Sequence, residues 1–596
     1  MKKLALVLAV VMVLSLGLTA CGGSTSSTGT ASSAPAGSSS SGSASDAAPA
    51  YNPDALQVKA LDDNTLQVTL TARTPYFLEL TAFPAYAPVQ QATVEANGEA
   101  WAVDAATYIG NGPYKIAEWV PSSHITMVKN ENYWNVDSLA GPDTLQFTLM
   151  EDDAAQLTAF QSGELDFIDA VPNDEIDALS STPEFYKEGQ IGTYYVSYNT
   201  QAAPFDDPLV RQAFTLAVDR DYICRQIGKS GQIPAGAFVS EGLSDAAEGS
   251  SFREVGGDYY DPTAGANEAN LAKAKELLAE AGYPNGEGLP TITYLYNEGT
   301  GHQQIGEALQ QMWGQLGATV TLESQEWATF LNTRKNGDYQ VARNGWLGDY
   351  NDPISFLDMW ITGGGNNDAQ WSNAEFDSLI KQIKSSGDAE ARMEMMHQAE
   401  DIIFDEWMLC PIYYYVDIYM AQQNLENLST SPLGFKFFMN ASNGTDTLKV
   451  CTGPDPDTID PALNSAVDGG TMIDHAFEGL YTVAYGTTPT PGQAESVEIS
   501  EDGLTYTFHL REGLKWSDGT PLTAHDFVYS WQRAVDPATG ADYAYMFECI
   551  AGYTEAINGE EYVAPAADAS SASTSESAAE SVSASTSESA STSAAA

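Results

Sequence analysis

The sequence predicts a mixed α/β fold with parallel strands and helices laid on their faces. Three observations carry this. Residues 290–350 alternate short strand-like and helix-like runs, and such alternation implies parallel pairing. Residues 56–70 read as a hairpin. The 596 residues are 43% hydrophobic and 10% aromatic, enough for a large core and more than one domain.

In chain order, Lys2 and Lys3 precede the apolar run from Leu4 to Leu18, followed by Leu18-Thr19-Ala20-Cys21-Gly22. That run is short for a membrane span and has the layout of a secretory signal, assigned to residues 1–20. Ser, Gly, Ala and Thr dominate from Gly22 to about Ala50, and Ser and Ala from 564 onward. Neither segment carries enough apolar surface to offset the entropy of ordering, so 21–54 is expected to be a disordered linker and 561–596 a disordered tail. Leu56 to Leu61 and Thr65 to Leu70 flank Asp62-Asp63-Asn64, two strands about a tight turn. A helix over Leu271 to Ala281 stops at Gly282 with Pro284 beyond. Thr291 to Tyr296 is a strand, and Ile305, Leu309, Met312 and Leu316 mark one helix face. A strand over Ala318 to Leu322, a helix over Trp327 to Arg334 and a strand over Tyr339 to Trp346 follow. Open sheets of this kind bind ligands at the carboxyl ends of strands, which directs attention to Trp346-Leu347-Gly348-Asp349.

Charge removes one class of partner. Lys plus Arg number 25 against 81 Asp plus Glu, a formal charge of −56, and nucleic acid is not expected because phosphates need clustered cations. No GxSxG, HExxH or Walker motif occurs, so no catalytic residue and no cofactor are assigned. None of the six histidines forms a close metal-ligand pair. Asp455, Asp457 and Asp460 lack the Gly and terminal Glu of a calcium loop, and no metal site is expected. Cys224, Cys410, Cys451 and Cys549 are widely spaced with no CxxC, leaving disulfides and buried thiols both open.

The most specific stretch is Tyr506-Thr507-Phe508-His509-Leu510-Arg511-Glu512-Gly513-Leu514-Lys515-Trp516-Ser517-Asp518-Gly519-Thr520-Pro521, with Ala524-His525-Asp526-Phe527-Val528-Tyr529-Ser530-Trp531-Gln532-Arg533 after it. It resembles the signature region of the oligopeptide-binding proteins of ABC transporters. Pro204-Phe205-Asp206-Asp207-Pro208-Leu209-Val210-Arg211-Gln212-Ala213-Phe214, Leu277-Leu278-Ala279-Glu280-Ala281-Gly282-Tyr283, Asn111-Gly112-Pro113-Tyr114 and Pro411-Ile412-Tyr413-Tyr414-Tyr415-Val416 are similar to further stretches of that family. The small residue before Cys21 resembles a lipobox, which implies cleavage before Cys21 and a lipid on its sulfur.

The resemblance covers about Ala55 to Asn440 and Asp446 to Glu560, but the order is swapped. The family begins with a segment like Leu448-Lys449-Val450 through Pro461, then the signature, then a strand like Leu56 to Leu61. This implies a circular permutation, joined across residues 441–445. The implied fold is periplasmic-binding-protein-like type II, two α/β lobes plus an extra domain. Its parts would be 55–90 plus 478–560 for the extra domain, 91–240 plus 431–477 for lobe 1 and 241–430 for lobe 2.

The implied activity is capture of oligopeptides at the outer face of the bacterial cell membrane by a lipid-anchored monomer, for delivery to an ABC permease. The same fold with a dipeptide, nickel, haem or signalling peptide, and a rearranged product without function, are the alternatives. By resemblance Asp349 pairs with the peptide α-amino group, and Arg343, Arg334 and His302 face its carboxylate. Trp346, Trp327, Tyr415 and Tyr543 match aromatic pocket positions, and Ser465 and Val467 a segment that contacts peptide backbone. Leu347 stands where some members carry a disulfide-forming Cys, so that bridge is not expected.

Overall fold

A computed structural model describes residues 51–564 apart from 248 and 485–487. The leader, Cys21 and the Ser/Ala-rich tail from 565 lie outside the described residues. Residues 51–54, expected within the linker, are packed: the Tyr51 hydroxyl donates to the Gln532 carbonyl at 2.6 Å, and the Asn52 N–H to the Ala556 carbonyl at 2.9 Å.

The expected hairpin forms from Val58–Asp62 and Thr65–Thr69, its turn closed by the Asn64 N–H on Asp62 Oδ1 at 2.9 Å. Leu66 and Val68 alternate inward as a half-buried strand requires. The next strand of this sheet comes from the far end of the sequence. Thr505–Leu510 lies antiparallel on Thr65–Thr69 with Phe508 opposite Leu66, and Ala494–Ile499 completes four strands. Helix Ala524–Val535 starts with a capping box of Thr523 and Asp526 and buries Phe527 and Trp531. The signature stretch is therefore structural, an inner strand and an amphipathic helix buried with it in one core.

The second sheet has eleven strands and mixed direction. Two long antiparallel neighbours, Phe185–Tyr198 and Leu409–Ala421, form its middle. On one side lie Val341–Leu347, Ile292–Asn297 and Val320–Gln325, the latter two joined in parallel, with Val341–Leu347 also parallel to Ile292–Asn297. That is the βαβ pairing the alternation implies. On the other side Thr447–Gly453 inserts in parallel between Phe167–Ile168 and Thr144–Leu149. Residues 441–445 form the turn that feeds it, with Gly444 at φ +82° and the Thr445 N–H on Asn443 Oδ1 at 2.9 Å.

Element edges move for local reasons. The helix expected from Leu271 runs Asn267–Glu280, because a 3-10 turn at Ala264–Ala266 leads into it ahead of the first apolar residue. The strand expected from Ala318 begins at Val320, since Gly317 at φ +88° is still turning against the Asn285 carbonyl. Ile305, Leu309, Met312 and Leu316 are all buried. Cys224, Cys410, Cys451 and Cys549 are buried free thiols. Among the described residues no helix is long and apolar enough to cross a membrane.

Candidate functional site

A cavity of about 550 Å³ opens at the carboxyl end of Val341–Leu347, and all ten expected site residues line it. His302, Trp327, Arg334, Arg343, Trp346, Asp349 and Tyr415 come from the part of the chain before the 441–445 turn. Ser465, Val467 and Tyr543 come from the part after it.

The Val341–Leu347 strand sets the geometry. Ala342, Asn344 and Trp346 are buried, while Arg343, Gly345, Leu347 and Asp349 alternate on the half-exposed face. Six residues at ~3.3 Å each put Arg343 and Asp349 about 20 Å apart along the strand line. The Asp349 loop is fixed from behind. Asp352 takes two hydrogen bonds from buried Arg392 at 2.6 and 2.9 Å, and the Asp349 N–H donates to Ser355 Oγ at 2.8 Å.

Asp349 Oδ1 accepts from the Tyr543 hydroxyl at 2.9 Å and Oδ2 from Ser355 Oγ at 3.1 Å. Neither donor carries charge. Burial pushes this carboxyl well above its ordinary range and Asp358 adds to the push, which the two hydroxyls only partly offset. The Tyr543 bond also ties the two parts of the chain together at the site.

Arg343 is the counterpart. A guanidinium stays charged at any ordinary pH. Its neighbours are aromatic, with its centre 5.3 Å from the Tyr194 ring and 6.0 Å from that of Trp327, and its Nε has no hydrogen-bond partner among the described residues. The groups that act on its charge are the phenols Tyr415, Tyr194, Tyr413 and Tyr294, none of them a carboxylate. A bulge between Tyr414 and Val416 accompanies Tyr415, whose hydroxyl crosses where a Cβ on Gly345 would sit only 2.3 Å away. His302 Nδ1 lies 3.2 Å from the Tyr194 hydroxyl, and burial together with Arg343 drives its pKa well down. It is therefore a neutral hydrogen-bonding group beside Arg343.

The other candidates divide. Arg334 lines the cavity but is committed: its Nε lies 2.6 Å from Asp368 Oδ2. Trp346 donates to the Ser355 carbonyl at 2.8 Å and its ring stands 6.3 Å from that of Tyr543. Ser465 donates to Asp542 Oδ2 at 2.9 Å, and Val467 opens helix Val467–Ala476. Sequence reasoning missed Tyr194, Ser355 and Asp368, whose roles arise only from spatial pairing. Among the described residues no cluster of His, Cys, Asp and Glu is arranged to hold a metal.

The cavity thus joins, among the described residues, a carboxyl whose hydrogen-bond donors are uncharged and a guanidinium whose neighbours are phenols and aromatic rings. The chain belongs to the bacterial extracellular solute-binding proteins, family 5, whose profile, described as "Bacterial extracellular solute-binding proteins, family 5 Middle", matches residues 27–368 and 488–586. It is 37% identical over 385 residues to the dipeptide-binding protein DppE of Bacillus subtilis (strain 168), covering 64% of this chain and 69% of that one. It is 35% identical over 400 residues to the oligopeptide-binding protein OppA of the same organism, covering 65% and 71%. Among solved structures it is similar to Haemophilus influenzae OppA in complex with the peptide RPPGFSPFR. There the TM-score is 0.57 and the identity 29%, over 62% of this chain and 71% of that one.

Proposed function

We propose that this chain captures oligopeptides, holding the α-ammonium at Asp349 and the carboxylate at Arg343 with His302, and passes them to an ABC permease. One observation carries the reading: among the described residues Asp349 faces the cavity with no cation and Arg343 with no anion, along one strand face. An extended zwitterion satisfies both charges at once, and burying a charge unanswered is expensive. An extended chain spans at most ~3.3–3.6 Å per residue, so the ~20 Å between the two positions, shortened by both side chains, suits three to five residues. The relatives, named as dipeptide- and oligopeptide-binding proteins, support the ligand class. Trp327, Trp346, Tyr415 and Tyr543 would wall the ligand side chains, Ser465 and Val467 its backbone, and Arg334 would act through Asp368.

The reading includes a lipid on Cys21, an extracytoplasmic location, a monomer, and the three-part division into two lobes and an extra domain. It also takes the chain order as a circular permutation. Two things support this last point: the Thr447–Gly453 and Thr505–Leu510 strands complete both sheets, and Asn52 Nδ2 meets the Glu560 carbonyl at 2.6 Å. Calorimetry with defined tri- to pentapeptides tests the function. Saturable heat and a raised melting temperature are expected, since a ligand bound by the native state must stabilise it. Absence of both would leave a rearranged product without function, and recovery of a labelled peptide as fragments would make the protein a peptidase.

A further inference from the structure

The cavity has a second electrostatic feature that Asp349 and Arg343 do not explain. Beside the Arg343 end, its wall carries three buried acceptor oxygens that meet no donor among the described residues. Gln156 is 1% exposed and its Nε2 is fixed on the Met150 carbonyl at 2.8 Å, yet its Oε1 has no partner among the described residues. Asn297, 8% exposed, donates through Nδ2 to the Glu298 carbonyl at 3.1 Å, and its Oδ1 is likewise unpartnered. In each case the donor bond settles which end of the amide is oxygen. Glu151 Oε1, buried in the wall of the same cavity, also lacks a partner among the described residues.

These acceptors belong together. Gln156 is bonded to the residue before Glu151. Glu298, which follows Asn297, acts on the Glu151 carboxyl, and so does Glu326. The Thr300 hydroxyl bonds Asp153 Oδ1 at 3.1 Å and closes the wall between helix Asp153–Gln161 and the end of strand Ile292–Asn297. Trp327 joins this wall to Arg343: its backbone N–H serves Glu151, and its ring lies under the guanidinium. Burial, then Glu298 and Glu326, lift the Glu151 carboxyl to about 7. Among the described residues no Lys or Arg is one of the groups that act on the Glu151 carboxyl.

Buried acceptors without donors cost free energy, and a group that is all donors and cationic answers every one of them. Lysine ammonium and arginine guanidinium are such groups, and Trp327 adds an aromatic face for the alkyl stem or the cation. We propose that this wall, centred on Glu151, Gln156, Asn297 and Glu298, is a side-chain subsite that selects a Lys or Arg at the carboxyl-terminal residue of the bound peptide. The inference rests on the peptide reading above and adds a preference to it.

The test is calorimetry on the protein with Ala-Ala-Ala-X, X being Lys, Arg, norleucine, Gln or Glu, and with Lys-Ala-Ala-Ala. Lys and Arg at the last position should bind at least ~10-fold tighter than norleucine, with Glu weakest, as charge-assisted bonds exceed neutral ones. In Glu151→Gln, and independently in Glu298→Gln, the Lys-to-norleucine affinity ratio should fall at least ~3-fold. Equal binding of Lys and norleucine peptides overturns the subsite and leaves the peptide reading standing. A preference for Lys only at the first position overturns its placement. Failure of every peptide to bind overturns the peptide reading and the subsite with it.

Discussion

Replacing Asp349 by Asn changes charge at one atom pair and little else, which makes its effect calculable. The amide keeps an oxygen for the Tyr543 hydroxyl, and its NH2 can donate to Ser355 Oγ, so the loop held by Asp352 and Arg392 stays in place. In the complex the ligand ammonium would retain its desolvation cost and lose its counter-charge. Removing one partner of a buried charged pair costs ~2–5 kcal/mol, so Kd should rise from about 30-fold to several thousand-fold. In the empty protein the sign reverses, because burial and Asp358 already oppose the Asp349 charge. The Asn variant should therefore melt at the same temperature as wild type or higher. Titration calorimetry with a tetrapeptide and its N-acetylated form closes a double-mutant cycle: acetylation should weaken wild type strongly and the variant hardly at all. A change in Kd below tenfold, with acetylation equally damaging in both proteins, would refute the assignment of Asp349 to the ammonium.

Tyr543→Phe removes one neutral donor from Asp349 and should weaken peptide binding by about 1 kcal/mol, read as a roughly five-fold rise in Kd. Gly345→Ala puts a Cβ where the Tyr415 hydroxyl sits and should displace that ring from Arg343, lowering affinity at least ~10-fold with the fold intact by circular dichroism. His475 supplies the pH dependence of stability. It is fully buried, with Nδ1–H donating to the Thr471 carbonyl at 2.7 Å and Nε2 accepting from the Phe438 N–H at 3.0 Å, so only the neutral ring fits. Burial lowers its pKa from 6.5 to about 4. For a base depressed in the folded state, the stabilisation is intact above pH 6.5 and lost as pH falls toward 4, about 3 kcal/mol in all. Urea midpoints at pH 7 and 4.5 should fall further in wild type than in His475→Gln, and equal falls would rule this group out.

What the sequence disclosed and what it withheld follow from which interactions are local. Strand Val341–Leu347 and the buried face of helix Thr300–Gly314 were legible because their periodicity lies within a dozen residues. Asp349 and Arg343 were legible through a run that resembles the family. Nothing along the chain distinguishes Arg343 from Arg334, whose charge is answered by Asp368 from another loop. The unpartnered oxygens of Gln156 and Asn297 are equally invisible, being defined by what fails to reach them. The signature stretch marks the family by its core strand and its helix, while the cavity receives Tyr543 from further along.

Gln67 and Thr507 touch across neighbouring strands although 440 positions separate them. At ~5–20 residues per second a ribosome needs on the order of 20–90 s to bring the second to the first. Throughout that interval the Thr65–Thr69 edge has no mate, and an unmated edge invites pairing with any other chain. Polypeptide held unfolded through export, or guarded by a chaperone, would avoid this hazard. A gene encoding residues 446–560 ahead of residues 51–440 would shorten the delay to roughly 4–14 s at the same rate, and nascent-chain aggregation in the two versions would reveal how much the present arrangement depends on such protection.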